Sequence, residues 1–171
     1  VIWDIDLETA IAGGVGVGPT HVAVTTERGE VVMLNAVDGA EMWRQQLSSE
    51  TLSPVQMNAD LAVAQLQNGK LVAMDLNTGE RRWSYDSQIP RLTLRGTSAP
   101  IVAANATIAG FANGKLIAVR NDTGLELWQR RITVAEGKTE LERLIDIDAR
   151  PLYIDGVIYI VSYQGKLVAV S

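Results

Sequence analysis

Cysteine is absent from the 171 residues. That excludes disulfide bonds, thiol nucleophiles and thiolate metal sites within the chain, and it leaves the redox compartment open. Histidine occurs once, at His21, too few for a multi-histidine metal centre or for histidine-based acid–base chemistry. Basic residues are outnumbered by acidic ones, 15 to 20, giving a net charge of −5. A nucleic-acid binder that relies on a general basic field is thereby excluded. No apolar run reaches the ~18–20 residues of a membrane-crossing helix. Five prolines and fifteen glycines are too few for a collagen-like or low-complexity polymer. At 47% hydrophobic and 20% charged, the chain has the composition of a packed domain, not of a disordered one. It opens on Val1-Ile2-Trp3 without a start methionine, a basic stretch or an apolar leader, and reads as the interior of a longer repeat. A signal peptide already removed is compatible with that opening.

What the sequence does contain is a repeat. Gly29-Glu-Val-Val-Met-Leu-Asn-Ala-Val-Asp-Gly39 leads to Trp43, Gly69-Lys-Leu-Val-Ala-Met-Asp-Leu-Asn-Thr-Gly79 to Trp83, and Gly114-Lys-Leu-Ile-Ala-Val-Arg-Asn-Asp-Thr-Gly124 to Trp128. Gly165-Lys-Leu-Val-Ala-Val-Ser171 begins a further copy that is cut off, and Trp3 looks like the end of one whose start is missing. The tryptophans are 40, 40 and 45 residues apart. Each copy reads as four short strands. In the third they are expected at 99–103, 106–111, 115–120 and 126–130. Asn68-Gly69 and Asn113-Gly114 are hairpin signals, and the turn before each Trp strand ends in a glycine able to take positive φ. The β-branched runs suit strands buried on both faces. A repeated four-stranded antiparallel sheet of ~40 residues is a β-propeller blade. The expected fold is therefore all-β, a partial propeller of about four blades over residues 1–171, with repeats ending near Trp3, Trp43, Trp83 and Trp128. Trp43, Trp83 and Trp128 are expected to pack between blades, and Gly29, Gly69 and Gly114 to serve turns. The run Gly13-Gly-Val-Gly-Val-Gly18 lacks dinucleotide-loop spacing and has no following helix, so it is read as a flexible lead into the strand His21–Thr25.

Function in a repeat protein concentrates where the copies differ. From each Trp to the proline taken to open the next blade there are 16 residues (Pro19), 11 (Pro54), 17 (Pro100) and 23 (Pro151). These connections emerge on one face of the ring. The last two are the longest and adjacent. Within the longer one, 139–145 is expected as a short helix with Leu141, Leu144 and Ile145 along one side, and Asp146 and Asp148 point the same way in an extended segment. Counting back five from each proline gives Gly14, Ser49, Arg95 and Asp146, which sets Arg95 and Asp146 at equivalent positions with opposite charge. Leu92 and Leu94 flank Arg95, either exposed or buried beneath their own loop. Asp146 and Asp148 either cap turns, pair structurally, receive a partner, or take part in acid–base or cation chemistry. Arg95 and nearby apolar anchors suit a protein interface.

Leu71-Val-Ala-Met-Asp-Leu-Asn-Thr-Gly-Glu-Arg-Arg-Trp83 resembles the tryptophan-docking repeat of quinoprotein-type propellers. Together with Leu92-Thr-Leu-Arg-Gly-Thr-Ser-Ala-Pro100 and Glu140-Leu-Glu-Arg-Leu-Ile-Asp-Ile-Asp-Ala-Arg-Pro151, it makes the chain resemble, from end to end, the BamB family of lipoproteins. That family belongs to the β-barrel assembly machinery of Gram-negative outer membranes. The resemblance implies an eight-bladed ring of which this chain is about half. It also implies a non-enzymatic scaffold without a cofactor, on the periplasmic face of the outer membrane. There it is held by a lipidated N-terminal cysteine that this sequence does not contain, and it assists the folding and insertion of β-barrel proteins. The implied partners are the POTRA domains of BamA, other subunits of the machinery, and unfolded outer-membrane clients bound by strand addition. Family contact residues match Leu92, Leu94, Arg95, Asp146 and Asp148. Two other readings share the fold: a pyrroloquinoline-quinone dehydrogenase, and a propeller ligand or sensor domain. Against the first, the sequence has no adjacent cysteine pair and no recognisable Ca²⁺-ligand set beside a catalytic aspartate. A self-contained four-bladed ring is an alternative to an open arc. The open arc is expected, with uncovered strand edges and blade faces that invite self-association.

Overall fold

Four antiparallel sheets follow one another along the chain in a computed structural model that describes all residues except 91, 92, 94–96, 135–144 and 148. The first blade holds β1 (Gly16–Val17), β2 (His21–Thr25), β3 (Glu30–Asn35) and β4 (Glu41–Gln46). The second holds β5 (Gln56–Met57), β6 (Leu61–Gln65), β7 (Lys70–Asp75) and β8 (Arg81–Asp86). The third holds β9 (Ile101–Val102), β10 (Ala106–Gly110), β11 (Lys115–Arg120) and β12 (Glu126–Arg131). The fourth has three strands among the described residues, β13 (Leu152–Ile154), β14 (Val157–Val161) and β15 (Leu167–Val170). Within every sheet the strands pair in sequence order, each antiparallel to the next. The fold is that of a partial β-propeller, as the repeat predicts.

The middle strands are apolar throughout because both of their faces are covered. Val31 to Leu34, Leu71 to Met74 and Leu116 to Val119 are buried at every position. One apolar cluster joins Ala23, Val31, Met33 and Trp43 of the first blade to Ala62, Ala64, Val72 and Met74 of the second. Equivalent clusters join the second blade to the third and the third to the fourth. The tryptophans are the links. Each sits beside a register shift in its strand pair, between Met33 and Leu34, Ala73 and Met74, or Ala118 and Val119, and such a bulge re-aims the side chain. Trp43 Nε1 donates to Leu76 O at 2.9 Å, and Trp83 Nε1 to Asn121 O at 2.6 Å. Each acceptor lies in the blade that follows. The indole lies flat on a glycine of the same turn: a Cβ on Gly79 would stand 2.7 Å from the Trp43 ring. Trp3 repeats the pattern, donating to Ala36 O at 3.0 Å and resting on Gly39. Trp128 is half-buried against the fourth blade.

Two expectations are corrected. The Gly13 to Gly18 run is not a flexible lead-in, because Gly16 and Val17 form β1, paired with Ala23 and Val22. Its glycines are steric necessities: a Cβ on Gly16 would stand 2.1 Å from Val55 O, and one on Gly13 would stand 2.3 Å from Thr25 Oγ1. The proline count is also out of register in the first two blades. Aligning the inner strands sets Val15, Val55, Pro100 and Pro151 as equivalents. Pro54 falls one position earlier, and Pro19 lies in the turn between β1 and β2. Five residues before the aligned position stand Ala10, Glu50, Arg95 and Asp146. Backbone bonds agree, since Glu27 N donates to Ala10 O, Gln67 N to Glu50 O and Tyr163 N to Asp146 O.

The turn that receives Trp43 is fixed by Asp75. Its Oδ1 accepts from Asn77 N and Thr78 N, both at 3.0 Å, and its Oδ2 accepts from Arg82. The Arg82 bond first, and the two turn amides after it, lower the carboxyl to about 2. The folded value lies below the unfolded one, so this contribution is complete above the ordinary aspartate pKa near 4 and is lost as pH falls from there toward 2. Asp75→Asn should therefore flatten the acid limb of the stability curve in that window, read by urea unfolding at stepped pH. A second comparison separates backbone strain from crowding. Gly79 (φ +74) and Gly156 (φ +83) both have left-handed geometry, but nothing lies within 4 Å of a Cβ on Gly156. Gly156→Ala should cost about 1–2 kcal/mol, the left-handed penalty alone. Gly79→Ala should cost about 2–5 kcal/mol, because overpacking against Trp43 adds to it. Chemical denaturation of both variants checks the difference.

Candidate functional site

An even number of antiparallel strands returns the chain to the face it left. The blade-to-blade crossovers therefore share one face with the β2–β3, β6–β7, β10–β11 and β14–β15 turns. Packing confirms the arrangement. A Cβ on Gly69 would meet Ser87 O at 2.6 Å and Ile89 Cγ2 at 2.7 Å, and one on Gly114 would meet Thr133 O at 2.6 Å and Ile145 Cδ1 at 3.1 Å. Each crossover thus lies across the positive-φ turn of its own or the next blade. Asn113 Nδ2 holds the start of the second-to-third crossover, donating to Ser87 Oγ at 3.0 Å and to Gln88 O at 2.9 Å.

The far ends of the crossovers are joined by a ladder of hydroxyls. Leu52 N donates to Thr97 Oγ1 at 3.1 Å, and Thr97 Oγ1 donates in turn to Ser53 Oγ at 3.1 Å. Ser53 Oγ donates to Ser98 O at 3.3 Å, and Ser98 Oγ to Ala149 O at 2.9 Å. Ser53, Ser98 and Ala149 are structural equivalents in successive blades, so this is a bonded course running from blade to blade. Outward of it, Gln65 Nε2 donates to Gly110 O at 2.6 Å. A cavity of about 20 Å³ remains among Gln65, Thr97, Ser98, Phe111 and Asp146, room for a single water. On the outer side, Tyr85 spans two blades by donating to Glu126 at 2.7 Å. Burial and the neighbouring carboxylate raise its pKa, keeping the phenol protonated.

Of the residues singled out by sequence, Asp146 is described. It is 2% exposed; its Oδ1 accepts from Ile147 N at 2.8 Å and its carbonyl from Tyr163 N at 2.9 Å. Ile145 and Ile147 on either side are buried as well. Ile147 fills the space over Gly110, where a Cβ would come within 2.2 Å of its Cγ2. Asp146 therefore belongs to the foundation of the face and not to its outer surface. Leu92, Leu94, Arg95 and Asp148 lie outside the described residues, as do residues 139–144 of the expected helix; Ile145, the last residue of that span, is not helical. The hydroxyl ladder and Asn113 were missed by sequence reasoning, although Ser53 and Ser98 recur at the 45-residue offset of the second and third blades. No group of three or more acidic, histidine or cysteine side chains with metal-binding geometry occurs among the described residues. The opposite face holds a cleft of about 680 Å³ lined by Asp60, Arg82, Arg120 and Asp122, whose guanidinium groups are already bound to Asp75 and Asp122.

A family model described as outer membrane protein assembly factor BamB matches residues 1–171. Among curated relatives, the outer membrane protein assembly factor BamB of Yersinia pestis is 37% identical over 181 residues, covering 99% of this chain and 46% of that protein. The chain thus spans about half the length of the curated relatives it matches. The crystal structure of BamB from Moraxella catarrhalis superposes with a TM-score of 0.92 at 32% identity, covering 96% of this chain and 51% of that one. A quinohemoprotein alcohol dehydrogenase from Pseudomonas putida HK5 superposes with a TM-score of 0.77 at 18% identity, a likeness that shows the fold alone.

The buried carboxylate gives a test of the foundation. Asp146→Ala leaves the Ile147 amide without this acceptor in a closed environment and should cost about 1–3 kcal/mol. Asp146→Asn keeps the acceptor oxygen and should lose less. Urea unfolding of the pair reads the difference.

Proposed function

Because the chain belongs to the BamB family of outer membrane protein assembly factors, we propose that it is a non-enzymatic scaffold presenting its crossover face to the POTRA domains of BamA. It acts in the folding and insertion of β-barrel proteins at the periplasmic face of the outer membrane. In the full-length protein a lipidated N-terminal cysteine holds it there. The observation that carries this reading is the rooting of the two longest crossovers side by side on one face. They are tied together by the Ser98–Ala149 bond and to the preceding blade by Thr97 and Ser53. A rigid base under two long loops is what an interface needs, since preorganised loops lose less entropy on binding.

The division of labour follows from side-chain chemistry. Leu92 and Leu94 supply apolar anchors, and Arg95 supplies charge-assisted hydrogen bonds to partner carboxylates or carbonyls. Asp148 accepts hydrogen bonds from the partner. Asp146, closed off from solvent, acts as a positioning residue that fixes the path of the longer crossover. The test is calorimetric titration of purified POTRA domains with this chain. Arg95→Ala and the double change Leu92→Ala with Leu94→Ala should each weaken binding at least tenfold, about 1.4 kcal/mol per tenfold, with circular dichroism unchanged. Unaltered affinity in both variants would remove this face from the interface.

A further inference from the structure

A cleft of about 480 Å³ separates the outer strands of the second and third blades. Tyr85 and Pro90 line it from the second blade and its crossover, and Lys115, Gln129 and Arg131 from the third. Ser87 and Gln88, where the second-to-third crossover begins, line it as well, so the cleft adjoins the crossover face. Its charges are not balanced. Lys115 and Arg131 stand directly opposite each other in the β11–β12 pair, and like charges so placed destabilise a sheet. Lys115 Nζ donates to the neutral Gln129 Oε1 at 2.8 Å. The Arg131 guanidinium has no hydrogen-bond or ion-pair partner among the described residues. The two carboxylates in the lining are engaged elsewhere: Glu126 accepts from Tyr85 at 2.7 Å, and Asp86 lies 3.6 Å from Lys70.

The repeat provides the comparison. At the same position the second blade pairs Lys70 with Asp86, and the first pairs Glu30 with Gln46. The corresponding cleft between the first and second blades, about 380 Å³, therefore has its lysine neutralised. Only in the third of these blades does register set two cations face to face, and it does so in a chain whose net charge is −5. We propose that this cleft receives an acidic side chain, glutamate or aspartate, of the protein docked on the crossover face. The inference rests on that face being the interface. A carboxylate between Lys115 and Arg131 turns their repulsion into two charge-assisted hydrogen bonds, with Arg131 able to bind it in bidentate fashion. Pro90 and the buried Ile117 offer apolar contact to its methylene groups.

The informative variant is Arg131→Asp, which puts opposite charges at the Lys115 pair, as in the second blade. Its urea midpoint should equal or exceed the parent's, so lost binding cannot be ascribed to unfolding. Calorimetric titration with purified POTRA domains should show affinity at least tenfold weaker for Arg131→Asp and for Lys115→Gln with Arg131→Gln, and a shallower fall of affinity with added salt. Parental affinity and salt dependence in both variants would overturn the proposal. A second probe does not depend on the POTRA domains. Hexaglutamate peptide should shift the backbone amide resonances of Lys115, Gln129 and Arg131 in the parent and leave them in place in Arg131→Asp. Equal shifts in parent and variant, or none in the parent, would overturn the proposal too. POTRA domains that fail to bind the parent, with the peptide shifts as expected, would remove the crossover-face reading and leave the carboxylate site standing.

Discussion

Everything in this molecule rests on one contact, repeated: an indole laid on a glycine of the next blade with its N–H bonded to a carbonyl of the same turn. Neither half would serve alone. The ring supplies apolar area, of the order of 150–250 Å² for a tryptophan. The N–H fixes where that area goes, because a buried donor without an acceptor is costly. The bulge beside each tryptophan sets the direction, and the positive-φ glycine clears the space. A four-stranded sheet with two apolar faces cannot stand in water by itself. The indole contact converts that instability into stacking, with each blade serving as solvent for its neighbour.

Once stacking is fixed, length variation has one outlet. Strands and hairpins keep their register from blade to blade, while the inner strands of successive blades are offset by 40, 45 and 51 residues. All of the difference falls in the crossovers, and so on one face. The hydroxyl ladder of Ser53, Thr97 and Ser98 bonds the ends of successive crossovers to one another.

Most of the architecture was legible in the chain. The spacing of Trp43, Trp83 and Trp128 gave the blade length, and strands β2 and β11 fall where apolar β-branched runs and turn residues put them. The errors have physical causes. Gly13 to Gly18 read as flexible because glycine is conformationally free in isolation, whereas here Gly16 is demanded by the neighbouring Val55 carbonyl. The 40-residue repeat could have found β1, since Val15-Gly-Val aligns with Val55-Gln-Met. The proline count failed because proline tolerates several places near a strand start. The depth of Asp146 is a different matter: its position five residues before the aligned proline was legible, and its burial between Ile145 and Ile147 was not. Only the three-dimensional stacking of Ile145 and Ile147 puts it underneath.

The bonds that hold the blades together run only between neighbours. Among the described residues the indole bonds reach 33 or 38 positions along the chain, and the Ser98–Ala149 link spans 51. Bonds that join only neighbouring blades allow the stack to form one blade at a time. A chain growing from its N-terminus would close one blade as soon as the next turn appeared, without waiting for later blades. At every moment of that process one unfinished apolar surface leads the growing stack. In such growth the vulnerable species is always the newest blade, never the whole arc.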